Sequence, residues 1–329
     1  MTERKQEIYT WLSNYFAVAE ISSLNYIPGD ASLRKYLRLN TANDSFIVMD
    51  TPSDPSMASF IKIAEILTKY DINVPRILQY DINLGLILMS DLGSTLYLES
   101  LNSSTQEQIN KLYEAAMTSL VKLQTVPTDY NQIGYVLENM DHNYIDKCLE
   151  VFKVWYINTH KQGKGYNEEL LSKLKKLFNH HFTAWPNAFV HLDYHSRNLL
   201  VNNTNPGIID FQDAMCGPIT YDLVSLLQDA YISWPRAQVE QWVLFYHRLA
   251  TDAGLMAQLS PAELLYNFDL IGLQRHIKNL GVFARLHHRD KKSNYLNDIP
   301  ALLKYILDAT NRYPELSWLE QFITEEVQA

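Results

Sequence analysis

One stretch constrains the chain most strongly: HLDYHSRNLLVNNTNPGIIDFQD, which runs from His191 to Asp213. It places one aspartate directly after an apolar run and a second aspartate inside another apolar run. Burying an ionised carboxylate in apolar surroundings is costly unless a partner replaces the lost water. The stretch therefore predicts one of three things: a structural ion-pair cluster, a metal site or the reacting centre of an enzyme.

The same stretch predicts a β-hairpin that carries oxygen ligands. The runs NLLV and GIIDF are short and apolar, and Asn205-Pro206-Gly207 between them is a turn signal. Pairing of the two runs would let Asn198 and Asp210 converge, and their oxygen atoms are ligands that Mg²⁺ accepts. Asp193 would lie close to that metal and would orient an acceptor hydroxyl and receive its proton, as phosphoryl transfer requires. The residues alone leave one alternative, a buried hydrogen-bonded network that steadies a loop.

The composition predicts an ordinary globular protein, with 47% hydrophobic residues and a formal net charge of −9. Its basic residues are scattered, so we expect no nucleic-acid partner, because phosphate binding needs a concentrated basic face. The two cysteines, Cys148 and Cys216, are far apart and fit a reducing cytosol. No signal peptide and no apolar run of membrane-spanning length is visible. We therefore expect a cytoplasmic protein without a membrane or an obligate protein partner.

Two parts of the chain differ in their predicted secondary structure, and together they predict an α+β fold. After an amphipathic helix, residues from about Leu24 to Leu92 are rich in strand patterns and contain one helical segment, SMASFIKIAEILTKY. From about Ser103 onward the pattern is mainly helical, with the hairpin described above as an exception. The predicted domains are a small sheet-containing lobe, residues 1–92, and a larger helical lobe, residues 93–329.

The motifs HLDYHSRN and IIDFQDA resemble those of the aminoglycoside phosphotransferases and choline kinases, a family related to protein kinases. This resemblance implies a protein-kinase-like two-lobed fold that uses ATP and Mg²⁺. It assigns the catalytic aspartate to Asp193, the magnesium ligands to Asn198 and Asp210, and nucleotide binding to the first lobe. His191 would be a structural member of the catalytic loop.

Within that family, further segments resemble a group of bacterial sugar kinases. These segments are GDASLRKYLRL, FIVMDTPSD, NVPRILQYD, LILMSDLG, FQDAMCGPITYDLVSLLQDAY and LQRHIKNLGVFARL. The resemblance implies phosphorylation of the anomeric hydroxyl of N-acetylmuramate or N-acetylglucosamine during cell-wall recycling. A choline or aminoglycoside kinase of the same fold, and a pseudokinase that binds nucleotide without turnover, remain as alternatives.

The nucleotide site departs from the usual kinase pattern. The expected phosphate loop, PGDASLRKY, has a single glycine, and the strand FIVMD lacks the usual lysine. A cation from the neighbouring strand would have to replace that lysine, and Lys35 is favoured over Arg34 because it alternates with Leu33 and Leu37. The predicted nucleotide contacts are thus Arg34 and Lys35, with Ser32 in the loop, Glu65 as an ion-pair partner on the helix, and Met89 and Asp91 in the hinge.

Sugar-binding residues should combine hydrogen-bonding groups with an aromatic or apolar surface. A carboxylate such as the lactyl group of muramate would also require an arginine or lysine nearby. The predicted substrate contacts are His195, Arg197, Gln212, Asp213, Tyr221 and Arg275, and weaker candidates are Asp222, Asp229, Gln274, His276 and Arg285.

Overall fold

The computed structural model describes residues 3–28, 34–52, 54–164, 168–256 and 258–320, without the side chain of Thr183. The chain divides into two compact units. The first contains Met1–Thr95 and Leu200–Gln212, and the second contains Leu96–Leu199 and Asp213–Ala329. The predicted boundary at residue 92 lies close to the first division, but residues 200–212 group with the first unit instead of the helical one.

The first unit is built around a five-stranded antiparallel sheet with the order β1-β2-β3-β5-β4. Apolar and polar residues alternate in β2, which buries Leu37 and Leu39 on one face, whereas β5 is buried on both faces from Leu86 to Met89. Helix α1 covers the face of Leu37 and Leu39 with Ile8, Trp11 and Leu12. The elements are α1 (Glu3–Leu12), β1 (Ser23–Ile27), β2 (Lys35–Asn40), β3 (Ser45–Asp50), α2 (Met57–Lys69), β4 (Ile77–Asp81) and β5 (Leu86–Ser90).

The second unit is mainly helical. It contains α3 (Tyr97–Ser103), α4 (Gln106–Gln124), α5 (Tyr130–Ile133), α6 (His142–Val151), α7 (Glu168–Ala184), α8 (Tyr221–Leu227), α9 (Arg236–Asp252), α10 (Pro261–His288) and α11 (Ile299–Arg312). Helix α6 continues into a π-helix, Phe152–His160, and short 3₁₀ segments lie at Val18–Glu20 in the first unit and at Ser293–Asp298 and Pro314–Leu316 in the second. A three-stranded sheet joins β6 (Glu138–Asn139), β10 (Met215–Pro218) and β7 (Asn187–Val190).

The predicted hairpin is present as a two-stranded sheet of β8 (Leu199–Leu200) and β9 (Gly207–Ile208). Asn73, in the turn before β4, fixes this hairpin to the first unit. Its backbone oxygen accepts from the Ile208 amide at 2.8 Å, and its side-chain amide donates to the carbonyl oxygens of Thr204 at 2.9 Å and Pro206 at 3.0 Å. These bonds explain why the hairpin groups with the sheet-containing unit, which its own sequence could not reveal.

Helix α10 is the central element of the second unit, because it is buried along most of its length. It begins at a capping box in which the Ser260 hydroxyl accepts from the Glu263 amide at 3.3 Å. Gly281 allows it to approach the junction of α6 and the π-helix. A Cβ atom at this position would lie 2.6 Å from the Val151 carbonyl oxygen and 2.7 Å from the Phe152 Cα.

Within the described part of the chain, every helix is either too short or too polar to span a lipid bilayer.

We predict that Gly281→Ala destabilises the protein. Helix propensity alone would favour alanine by about 1 kcal/mol, but the new methyl group would collide with backbone atoms that cannot rotate away. We expect the free energy of unfolding to fall by about 1–3 kcal/mol, the usual cost of overpacking. Urea denaturation measures this change, and an unchanged or higher stability would contradict the close approach.

Candidate active site

The loop that carries Asp193 is held by hydrogen bonds to the carboxylate of Asp222 in α8. This carboxylate is completely buried and accepts the backbone amides of His191 at 2.6 Å and Leu192 at 3.0 Å. Leu192 has a positive φ of 79°, a conformation that costs a non-glycine residue about 1–3 kcal/mol. The two hydrogen bonds therefore keep a strained backbone in place directly before Asp193.

The same carboxylate has a raised pKa. Burial raises the pKa of Asp222 to about 7, and the negative charge of Asp193 adds to the rise, although the two amide donors act in the opposite direction. Asp222 was a candidate sugar contact, and this stays a prediction, although both of its carboxylate oxygens are engaged by the loop backbone.

A second carboxylate supports the following turn. Asp229 accepts the backbone amide of Ser196 at 3.0 Å and also its hydroxyl, and the Tyr231 amide at 3.1 Å. Asp229 lies beyond α8, which ends at Leu227, and in the structure its side chain supports the loop backbone, while its sugar contact stays a prediction. The Arg197 guanidinium stacks on the Tyr231 ring at 3.6 Å, and the His195 ring meets the same tyrosine edge-on. The loop and the segment after α8 are thus packed together.

Asp193 itself is held by backbone contacts and keeps its carboxylate accessible. Its amide donates to Nδ1 of His191 at 3.3 Å, and its carbonyl oxygen accepts from the side-chain amide of Asn198 at 3.0 Å. Nearly half of its side chain, 49%, is exposed to solvent. The predicted role of His191 as a structural member of the loop agrees with this arrangement. Asp193 can therefore meet a ligand while its backbone stays fixed.

Two cations of α10, Arg275 and Lys278, act on the Asp193 carboxylate. Nη2 of Arg275 lies 3.8 Å from Oδ1 of Asp193, and Lys278 lies one helical turn further on. Partial burial would raise the pKa of Asp193. The charges of Lys278, His195, Arg275 and His191 outweigh that effect and lower the pKa below its ordinary value. Asp193 is therefore ionised at neutral pH and is a weak base, so its main contribution is to orient an acceptor.

Lys278 was missed by the sequence analysis. Its Nζ donates to Oη of Tyr221 at 2.9 Å, and that oxygen is 2.9 Å from Oη of Tyr144. The sequence feature that could have revealed Lys278 is its spacing of three residues from Arg275 in LQRHIKNL. This spacing places both cations on one side of a helix. Tyr221, a predicted substrate contact, is completely buried and acts through this hydrogen-bond chain.

The other substrate candidates lie in different surroundings. His276 is buried, hydrogen-bonded to Gln228 at 2.9 Å and stacked on Tyr305, and its contact with a sugar stays a prediction. Gln212 belongs to the first unit and donates to Asp210 at 3.1 Å, and the following Asp213 is exposed. His195 and Arg197 stay predictions that the loop geometry permits.

In the first unit, Arg34 and not Lys35 is the buried cation. The Arg34 side chain is only 9% exposed, and its Nε lies 2.9 Å from Oδ2 of Asp54. It also donates to Ser56 and lies 5.9 Å from the Phe60 ring, which in turn stacks on Phe211 beside Asp210. Burial raises the pKa of Tyr36, Arg34 lowers it, and the negative charge of Asp210 raises it further. Arg34 and Asp210 therefore contribute opposite charges to one neighbourhood.

Lys35 and Glu65 do not take part in the ion pair between Arg34 and Asp54, and their contacts with a nucleotide stay predictions. Lys35 is exposed at the start of β2, because the buried face begins only at Leu37. The Glu65 side chain is 55% exposed and lies 3.9 Å from Lys62, so it is not the partner of Arg34. Asp54, which precedes α2, is that partner. Burial alone would raise the pKa of Asp54, but the hydrogen bonds from Ser56 and the Arg34 charge lower it strongly.

The predicted hinge residues have structural partners. Met89 is buried in β5 between β3 and β4. Asp91 accepts from Nε of Arg38 at 2.7 Å, from the Ser45 hydroxyl at 2.6 Å and from the Gly93 amide at 2.8 Å. Its carboxylate is thus occupied by protein. The predicted phosphate-loop residue Ser32, with Gly29 and Ala31, lies outside the described residues.

The predicted magnesium ligands, Asn198 and Asp210, both carry side-chain oxygen atoms. The Asn198 amide nitrogen is used by the Asp193 carbonyl oxygen, which leaves its side-chain oxygen as the atom to meet a metal. Asp210 has a positive φ of 66°, a conformation that aspartate tolerates, and Gln212 donates to its Oδ1 at 3.1 Å. Both residues offer hard oxygen atoms and fit magnesium. Within the described ranges no group of three or more His, Cys, Asp or Glu side chains is arranged to hold a metal.

Comparison with known proteins decides the family. The model of the phosphotransferase enzyme family matches residues 23–260. The chain belongs to this family. It is 34% identical over 335 residues to the N-acetylmuramate/N-acetylglucosamine kinase of Pseudomonas putida, which covers 98% of this chain and 96% of that protein. It is 35% identical to the protein of the same name from Pseudomonas aeruginosa, over 97% of this chain and 96% of the relative.

Solved structures support the same fold. The ethanolamine kinase of Plasmodium vivax has a TM-score of 0.66 at 13% identity, covering 92% of this chain and 89% of that one. The choline kinase of Cryptosporidium parvum has a TM-score of 0.65 at 12% identity, covering 95% and 99%. The predicted family and the protein-kinase-like α+β fold are therefore confirmed, and the chain is a phosphotransferase.

We predict that Asp222→Asn changes the pH dependence of stability. The folded-state pKa of about 7 lies above the ordinary value of 3.8, so the folded state binds the proton more tightly and stability falls as pH rises between these values. This fall has an upper limit of about 1.4 kcal/mol per pH unit. The stability advantage of the native protein over Asp222→Asn should therefore be larger at pH 5 than at pH 8.

Urea denaturation at both pH values measures this difference, and Asp308→Asn on the surface of α11 is the matched control. An advantage that is equal at pH 5 and pH 8 would show that Asp222 is ionised over this whole range in the folded state and that its raised pKa is wrong.

Proposed function

We propose that this phosphotransferase transfers the γ-phosphoryl group of ATP to the anomeric hydroxyl of N-acetylmuramate and N-acetylglucosamine. One observation carries the proposal: the relatives that share 34–35% identity over nearly the whole chain are named as kinases of these two sugars. The cytoplasm, where both the nucleotide and sugars released from the cell wall would be available, is the proposed location, and the proposed role is cell-wall recycling.

In the proposed reaction, the anomeric oxygen attacks the γ-phosphorus of ATP. A new oxygen–phosphorus bond forms, the bond between the γ-phosphorus and the bridging oxygen breaks, and ADP leaves. The hydroxyl proton passes to a carboxylate oxygen of Asp193, which is exposed and held by its backbone contacts. An anomeric hydroxyl is more acidic than the other ring hydroxyls, and this acidity suits a carboxylate whose pKa lies below its ordinary value.

Asn198 and Asp210 are the proposed magnesium ligands, and the order of the motif along the chain supports this assignment together with the chemistry of their oxygen atoms. Magnesium would neutralise charge on the phosphate oxygens. Arg34 is the proposed phosphate-binding cation in place of the strand lysine. Its burial, its ion pair with Asp54 and its neighbourhood with Asp210 support it.

We predict that the purified protein consumes ATP with magnesium only when one of the two aminosugars is present. Asp193→Asn should lower kcat by at least about 100-fold, because it removes the group that orients the acceptor and takes its proton. A coupled ADP assay measures turnover, and phosphorus coupling to the anomeric carbon in the product NMR spectrum identifies the bond.

Asp308→Asn provides the matched control, since this aspartate is exposed on α11 and pairs with the surface lysine Lys304. Full activity of Asp193→Asn would disprove the catalytic assignment. Phosphorylation of choline or an aminoglycoside instead would replace the proposed substrate, and nucleotide binding without turnover on either sugar would indicate a pseudokinase.

The phosphate-binding cation is tested by comparing Arg34→Met with Lys35→Met. We expect the first substitution to raise KM for ATP by about tenfold or more, the loss expected for one charge-assisted contact. The second should change it less than about twofold, because the charge of an exposed lysine is screened. Thermal melting of both variants separates binding from folding, and a larger effect at Lys35 would restore the original sequence-based preference.

A further inference from the structure

Helix α10 presents two cations beside Asp193, and one of them has unused donors. Arg275 is 3% exposed, and its Nη2 lies 3.8 Å from the Asp193 carboxylate. Its Nε and Nη1 atoms are buried and have no hydrogen-bond partner among the described residues. A buried guanidinium with unsatisfied donors is costly, so this arrangement needs a further acceptor.

The second cation, Lys278, is held in a fixed position and is only partly buried. Its Nζ donates to the Tyr221 hydroxyl at 2.9 Å, and the Tyr144 hydroxyl lies 2.9 Å beyond. Burial lowers the pKa of Lys278, but Tyr221 and Asp193 raise it more strongly, and the ammonium group stays charged. Phenol hydroxyls are neutral acceptors. The hydrogen bonds from Lys278 to Tyr221 and on to Tyr144 therefore position the ammonium group without neutralising its charge.

The charges of this group do not balance. Arg275 and Lys278 contribute two positive charges, and Asp193 contributes one negative charge. The Asp222 carboxylate is hydrogen-bonded to the amides of His191 and Leu192, and its pKa is raised to about 7, so it carries less than a full negative charge near neutral pH. A net positive charge next to the catalytic aspartate therefore remains, and it would attract an anionic group of a bound molecule.

We propose that Lys278, assisted by Arg275, binds the carboxylate of an acid-substituted aminosugar and so determines how well the enzyme distinguishes N-acetylmuramate from N-acetylglucosamine. This inference rests on the proposed function. The two sugars differ at the oxygen on C3, which carries a lactyl carboxylate in the first and only a hydrogen in the second. Lys278 is the direct contact, because its side chain is the more accessible of the two, and Arg275 adds charge behind it.

The transferred phosphoryl group is the other anion that could occupy this position, and it makes a different prediction. It is common to both reactions, so a cation that binds it would affect both sugars equally. A cation that binds the lactyl carboxylate would affect only one. The ratio of kcat/KM for N-acetylmuramate to that for N-acetylglucosamine therefore separates the two, because general effects on Asp193 or on folding cancel in it.

The experiment measures this ratio for the native enzyme, Lys278→Met, Lys278→Arg and the control Lys304→Met on the exposed face of α11. We expect Lys278→Met to lower the ratio by about 10-fold to 100-fold, the effect of losing one charge-assisted hydrogen bond. Lys278→Arg should keep the ratio close to that of the native enzyme, because the positive charge is retained. Lys304→Met should leave the ratio unchanged. Higher salt should also lower the ratio for the native enzyme more than for Lys278→Met.

Equal losses on both sugars, with an unchanged ratio, would overturn the inference and assign the cations to the phosphoryl group. So would a native enzyme that phosphorylates N-acetylglucosamine and rejects N-acetylmuramate. A native enzyme that phosphorylates neither sugar would instead disprove the proposed function. If Lys278→Met fails to fold, the ratio measured for Lys278→Gln and Arg275→Lys decides the same question.

Discussion

The hydrogen bonds between the Asp222 carboxylate and two consecutive backbone amides are the interaction on which the candidate site depends. They join the start of α8 to the loop before Asp193 and hold Leu192 at a positive φ. A buried carboxylate is expensive, and here the amides compensate for part of that cost while the loop gains a fixed geometry. Asp229 repeats the arrangement at Ser196. Two buried acids that accept backbone amides thus position the exposed carboxylate of Asp193.

The different surroundings of Asp222 and Asp193 explain why the pKa values of these two acids differ so much. Burial raises the pKa of Asp222 to about 7, whereas the cations of α10 lower that of Asp193. The negative charge of Asp193 adds to the rise at Asp222, whereas the cations near Asp193 outweigh the desolvation of its own carboxylate. Arg275 and Lys278 therefore keep Asp193 ionised, and they can attract an anionic ligand at the same time.

Much of the fold was predictable because its signals are local. Alternating residues predicted β2, and the turn Asn205-Pro206-Gly207 predicted the hairpin that the structure contains. The same motif marked Asp193 by its position between apolar runs. Lys278 could not be found in this way, because its relation to Asp193 joins residues 85 positions apart on α10 and a loop. The separate roles of Asp222 and Asp229 depend on the same kind of distant contact.

The comparison of Arg34 with Lys35 shows that the alternation of residues along a strand is not sufficient to predict which side chain is buried. The pattern of β2 correctly places Lys35 on the face of Leu37, but the core begins only at Leu37, so Lys35 remains exposed. Arg34 precedes the strand, and its longer side chain turns toward Asp54 and the Phe60 ring. On β3, Asp50 is instead paired with Arg4 of α1 at 2.7 Å. The strand that usually carries a lysine here ends in an acid, and the buried cation comes from the segment before its neighbour.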